Sequence, residues 1–133
     1  MKAATSIRGK ICLLLVLIAS ARSETLVHRA PQTASTRSNP FEGQPDAERA
    51  GAKLFSRECA SCHGAAGAGG LGKAPPLNQP EVYRAAPGTL FWILRNGSLK
   101  HGMPSFAHLP EPQRWQIVTH LQAKRQFQNR PTD

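Results

Sequence analysis

Cys59 and Cys62 stand three residues apart, and His63 follows directly, in the run Cys59-Ala60-Ser61-Cys62-His63. Two thiols and an imidazole at this spacing can do three kinds of chemistry. The thiols can form thioethers to the two vinyl groups of one porphyrin, because one helical turn separates the sulfurs by about the vinyl-to-vinyl distance. The imidazole, next in the chain, then lies under the ring centre within reach of the iron. Alternatively the pair can be half of a zinc site, which needs a second cluster of Cys or His; outside the motif only scattered histidines remain. A redox dithiol is the third possibility. It belongs to a βαβ context, whereas the flanks here read as a helix and a Gly-rich loop. The spacing favours covalent haem c over zinc and over a dithiol.

An iron held by His63 has a second axial position. Apart from Met1, Met103 is the only methionine, within Lys100-His101-Gly102-Met103-Pro104-Ser105-Phe106. Gly102 and Pro104 favour a loop that can shape itself around a thioether. A lone Met is ordinarily a core filler, but beside the cysteine motif it makes a His/Met pair with His63. His101 and His108 are rivals for the same position. A His/His pair would lower the potential relative to His/Met, and an open sixth position would allow peroxide or small-ligand chemistry.

The elements that must position these groups come next. Lys2, Arg8 and Lys10 precede the nine-residue apolar run Ile11 to Ala19, and Ala19-Ser20-Ala21 fits a small-x-small cleavage site. Residues 1–21 therefore read as a signal peptide, too short for a bilayer span of about twenty residues; left uncleaved, the segment would be a membrane anchor. Cys12 lies inside it, so Cys59 and Cys62 are the thiols of the exported chain, which we expect in the periplasm. Removing 21 of 133 residues leaves 112, one small domain. Residues 22–45, rich in Ser, Thr, Pro, Gln and Arg with no apolar period, read as a flexible linker, and 128–133 as a loose tail. The domain proper is expected over 46–127.

Within it, Asp46 reads as an N-cap. Ala47, Ala50, Gly51, Leu54 and Phe55 then form one helix face leading into the cysteine motif. Gly64 to Gly72 is an aperiodic loop that lets backbone pass close to a flat ligand. Pro75-Pro76 forbids helix, and Gln79 to Arg84 reads as a short helix. Thr89 is read as the cap of an apolar helix, Leu90-Phe91-Trp92-Ile93-Leu94, stopped by Asn96-Gly97. That helix is apolar on nearly every side, as suits one packed between cofactor and core, and Trp92 joins the cofactor-binding set. A last helix runs from about Pro112 to Phe127 with Trp115, Ile117, Val118 and Leu121 on its apolar side. No useful strand alternation is present.

The full chain carries 17 Lys and Arg against 8 Asp and Glu, and the exported part 14 against 8, a net +6. A basic exterior suits acidic redox protein partners. Nucleic acid is not expected, since no basic strand interleaved with aromatics is present; membrane contact is expected only if the leader stays attached.

From Asp46 to Lys124 the sequence resembles the class I c-type cytochromes, specifically the small bacterial monohaem family. The resemblance rests on Cys59-Ala60-Ser61-Cys62-His63, on Leu90-Phe91-Trp92-Ile93-Leu94-Arg95-Asn96-Gly97 and on Gly102-Met103-Pro104-Ser105-Phe106. It implies an all-α cytochrome c fold, three to five helices and long loops around one covalent haem c, with His63 as proximal and Met103 as distal ligand. It further implies that Gly51 and Phe55 lie where the first helix crosses the last, facing Trp115 and Leu121. Pro75 would accept the Nδ1 proton of the proximal imidazole, and Leu77 would pack on the ring. One position departs from the family pattern: His120 stands where an aromatic residue is usual. Six-coordinate iron has no vacancy for a substrate, so the resemblance implies an electron carrier with no catalytic residues. Lys53, Lys73 and Lys100 would steer docking onto an acidic partner. The alternatives are a haem subunit docked on a dehydrogenase or oxidase, or a five-coordinate haem with peroxide or small-ligand activity.

Overall fold

The computed structural model describes residues 26–70 and 74–128. The leader with Cys12, the first residues of the expected linker, Lys73 and the last five residues of the tail lie outside the described residues. Among those described, the fold is all-α: α1 (Gln32–Ser35), α2 (Pro45–Glu58), α3 (Ala60–His63), α4 (Pro80–Arg84), α5 (Pro87–Asn96) and α6 (Glu111–Gln128). Two single 3-10 turns, Leu26–Arg29 and Leu99–His101, complete it, and the one β-bridge joins Ser98 to Met103.

Proline rather than a polar cap starts three of the helices. Pro45, Pro80 and Pro87 occupy first-turn positions of α2, α4 and α5. A proline there loses no hydrogen bond and arrives with helical φ. Gln44 and Ala86 are the capping residues of α2 and α5, not Asp46 and Thr89 as the sequence suggested. Asp46 instead sits inside the first turn of α2, where its carboxylate favours the positive end of the helix dipole. Thr89 is buried within α5. That helix ends as expected, at Gly97 with φ 66°.

The core sits where α5 and α6 meet the α2–α6 crossing. Ile117 and Val118 of α6 and Phe91 of α5 are almost wholly enclosed. At the crossing the helix backbones touch: a Cβ on Gly51 would stand 1.9 Å from the Gln116 carbonyl oxygen. One turn on, the Phe55 and His120 rings meet at 5.4 Å and 53°, so His120 fills the aromatic place at the crossing. Trp115 turns elsewhere. The nearest α6 atoms to Gly51 belong to Gln116 and His120, and Trp115 stacks on Phe91 of α5 at 4.1 Å. α4 is tied to α6 through Gln122, whose Nε2 donates to the Ala85 carbonyl at 2.7 Å.

The described part of the expected linker is a strap packed on the domain. Ala34 is buried in α1, and its carbonyl oxygen lies where a Cβ on Gly88 would be. Asn39, also buried, donates from Nδ2 to Thr119 Oγ1 at 2.9 Å and accepts the Phe41 N–H at 3.0 Å. Arg37 lies over the Phe91 and Trp115 rings, 4.6 and 5.3 Å from their centroids, and pairs with Glu111 at 2.7 Å. A polar segment without periodicity can thus be fixed by a few specific contacts to surfaces that α5 and α6 already present.

Two outcomes follow. Gly51→Ala should destabilise the protein by about 3 kcal/mol, because the added methyl meets backbone, which cannot swing aside; thermal or denaturant unfolding measures it. Glu111 is held below the ordinary carboxylate range by the Trp115 Nε1–H first and by Arg37 second. A depressed carboxylate stabilises above its unfolded pKa and loses that contribution as pH falls through its folded value. Wild type and Glu111→Gln should therefore differ in Tm near neutrality and converge in acid.

Candidate cofactor site

α2 ends at Glu58, and Cys59, with φ −120° and ψ −33°, turns the chain into the short α3. Its carbonyl accepts the N–H groups of Cys62 and His63 at 3.1 and 2.9 Å, so one tight turn carries both thiols and the imidazole. Both thiols are free of disulfide; Cys59 is buried and Cys62 exposed. Burial pushes the Cys59 thiol up to about 11, with the Glu58 carboxylate and Cys62 adding to the effect. Reactive dithiols carry a thiol with a depressed pKa; the Cys59 thiol is shifted the opposite way. Nor do three or more His, Cys, Asp or Glu side chains gather around a possible metal position among the described residues, as a tetrahedral zinc site would need.

His63 Nδ1 lies 2.8 Å from the Pro75 carbonyl oxygen. A carbonyl can only accept, so Nδ1 carries the proton and Nε2 keeps its lone pair for a metal. The Gly loop makes this meeting possible. Gly64 (φ 79°) reverses the chain, and the Gly69 N–H returns to the His63 carbonyl at 3.0 Å. A Cβ on Gly70 would stand 2.0 Å from the Cys62 carbonyl oxygen. Gly67 then accepts the N–H groups of Leu77 and Asn78 at 2.7 and 3.1 Å, which lays the Pro75–Asn78 stretch beside the motif. Leu77 and Leu121 share a cleft of about 150 Å³ with Phe55, His120 and Gly67, so the helix crossing and the motif loop form one wall.

Met103 sits on a small hairpin. Ser98 and Met103 exchange both backbone hydrogen bonds, at 2.8 and 3.1 Å, around the Leu99–His101 turn and the left-handed Gly102. The hairpin is fastened to the end of α5: the Phe106 N–H donates to Leu94 at 2.9 Å and Ser105 Oγ to Arg95 at 2.6 Å. Met103, Leu77 and Leu121 are partly buried hydrophobics against the same core. His101 Nδ1 is 2.8 Å from Ser98 Oγ, and His108 is exposed with its ring 6.0 Å from Phe106. Trp92 is half-buried on α5, its carbonyl taken by Asn96. The sequence reading missed the Ser98–Met103 bridge, although Gly97 and Gly102, both at positive φ, flank the turn. Two thiols on one turn, an imidazole with a free Nε2 and half-covered apolar side chains suit a flat apolar macrocycle with a metal at its centre.

A family model described as "Cytochrome C oxidase, cbb3-type, subunit III" matches residues 46–121. No curated protein matches the sequence. Among solved structures, the chain is similar to cytochrome CL from the marine methylotrophic bacterium Methylophaga aminisulfidivorans MPT, with a TM-score of 0.57 and 25% identity over 66% of this chain and 59% of that one. The chain thus spans less than two thirds of that protein's length. The fold is that of cytochrome c, and such domains bind haem c covalently. Gly70→Ala should displace the Cys62 backbone and cut the yield of covalently attached haem per polypeptide, measured by haem stain against total protein. By motif, fold and match together, the chain belongs to the cbb3-type cytochrome c oxidase subunit III family, as a class I c-type cytochrome domain with covalent haem c.

Proposed function

We propose that this protein is an exported monohaem electron carrier whose iron is held by His63 on one side and Met103 on the other. The observation that carries the reading is the 2.8 Å contact from His63 Nδ1 to the Pro75 carbonyl, which leaves the Nε2 lone pair as the ring's one site for a metal. Haem c, when bound, supplies an iron that takes up and gives back one electron. The protein's own residues do the rest. Cys59 and Cys62 fix the macrocycle through their sulfurs. Pro75 fixes the imidazole's tautomer and orientation and makes Nε2 a better donor. The Ser98–Met103 bridge fixes the backbone that carries the thioether, and the end of α5 anchors that hairpin. A His/Met pair gives a higher potential than His/His.

Export is supported by the leader-like start of the sequence; no described helix is long and apolar enough to cross a membrane. Lys53 and Lys100 are exposed, and Leu99, beside Lys100 on the Met103 turn, is 82% exposed. With Lys73, outside the described residues, they are the groups we assign to docking on an acidic redox protein. The family's description favours a second reading, a haem subunit docked on an oxidase. Size-exclusion and pull-down from periplasmic extract separate the two, since a free shuttle elutes alone and a subunit does not.

The oxidised protein should show the weak absorption band at the red end of the visible spectrum that reports an iron–thioether bond. Met103→Ala should keep its covalent colour, lose that band and bind added imidazole more tightly. A wild type without the band would refute Met103 as ligand. Reduction by an acidic partner should slow about tenfold or more between low and high salt, and Lys100→Glu should flatten that dependence; stopped-flow kinetics over ionic strength measures both.

A further inference from the structure

We infer that Arg114 is a positioning residue for Met103: its buried guanidinium clamps the turn Phe106–Leu109 and so holds the hairpin that presents the thioether. The inference rests on the reading of Met103 as the distal ligand. Arg114 lies near the start of α6 and is 7% exposed. Its Nη1 faces three carbonyl oxygens of one turn: Ala107 at 3.1 Å, Phe106 at 3.5 Å, and Leu109. Its Cζ stands 5.0 Å from the Phe91 ring centroid. No carboxylate pairs with it among the described residues. Its Nε is the one buried side-chain nitrogen or oxygen among them without a hydrogen-bond partner.

A buried, unpaired charge is an expensive way to fill space, and an apolar side chain of similar volume would pack there at lower cost. What an arginine adds is a fan of donors, which can gather several carbonyls that no backbone amide reaches. The position of those carbonyls gives the clamp its consequence. Only Pro104 and Ser105 separate Met103 from the clamped turn. The end of α5 grips this stretch at Ser105 and Phe106, through Arg95 and Leu94. Arg114 supplies the matching grip from α6. Met103 therefore hangs between two helices that pack on each other, and the thioether inherits their rigidity. Arg37 shares the Phe91 ring with Arg114 but makes no hydrogen bond to the 106–109 turn. It is the internal control for a packing effect.

The test uses the haem-loaded protein, with amide hydrogen exchange in the reduced state and imidazole titration in the oxidised state. Arg114→Met should speed exchange at Met103 and Phe106 by about ten- to hundredfold relative to Val118 of α6, the loss of charge-assisted hydrogen bonds, and raise imidazole affinity by a similar factor. Arg114→Lys, which keeps the charge and a donor, should recover part of both effects and serves if the Met variant does not fold. Arg37→Ala should lower Tm and leave both readouts near wild type. Equal acceleration at Met103 and Val118 in the Arg114 variants, or an equally loosened hairpin in Arg37→Ala, would overturn the clamp. A loosened hairpin with unmoved imidazole affinity would keep the clamp as a loop fastener and overturn Met103 as the ligand it positions.

Discussion

The hydrogen bond between His63 Nδ1 and the Pro75 carbonyl is the contact on which the rest of this structure depends. An imidazole on a short exposed turn is free to rotate and to present either nitrogen. A proline carbonyl removes that freedom, because it accepts only and its own chain is stiff. The arrangement requires the Pro75–Asn78 stretch to lie against the cysteine motif. Gly67 secures it by accepting both Leu77 and Asn78 amides, Gly64 lets the Gly69 carbonyl come close as the loop returns, and Gly70 lets the loop pass against the Cys62 carbonyl. The glycine content of this loop is thus a geometric demand of the imidazole, not a sign of slack.

The helices supply the platform. α2 delivers the motif and is locked to α6 by a contact of backbone on backbone at Gly51, with the Phe55 and His120 rings beside it. α5 and α6 are locked by the stack of Phe91 on Trp115, which the strap closes through Arg37. From the ends of these helices come two loops. One carries His63 and Pro75, the other Met103, which we propose as the second ligand. A small domain has a limited apolar core of its own, and here much of it is concentrated at the crossings that aim the ligands.

Much of the site was legible in the sequence because its chemistry demands fixed residue types at fixed spacing. Cys59, Cys62 and His63 announced the cofactor, and the family resemblance placed Pro75 where the structure finds it. The apolar periods of α2, α5 and α6 were also visible, since a helix must show its buried face. Helix starts at Pro45 and Pro87 were misread because Asp46 and Thr89 are better caps in isolation, while a proline's preset φ decided the boundary. The strap was invisible for a different reason. Its contacts, Asn39 to Thr119 and Arg37 to the aromatic pair, join residues about 80 positions or half the chain apart and leave no local period. Arg114 was missed likewise, since nothing in a helical pattern marks which arginine turns inward.

What the protein does with its electron follows from how little its ligands can move. On the proposed ligation, donors held by backbone hydrogen bonds and by packed helices would change position little when the charge at the metal changes, and that rigidity would be the protein's contribution to electron transfer. The central claim is that Pro75 sets the imidazole so that Nε2 alone is offered to the iron. It is tested most directly by nitrogen-15 NMR of the reduced, haem-loaded protein. The account predicts a His63 Nδ1 that carries a slowly exchanging proton, with Nε2 bound to iron. A Nδ1 proton that exchanges as fast as that of an exposed imidazole, or iron bound through Nδ1, would contradict it.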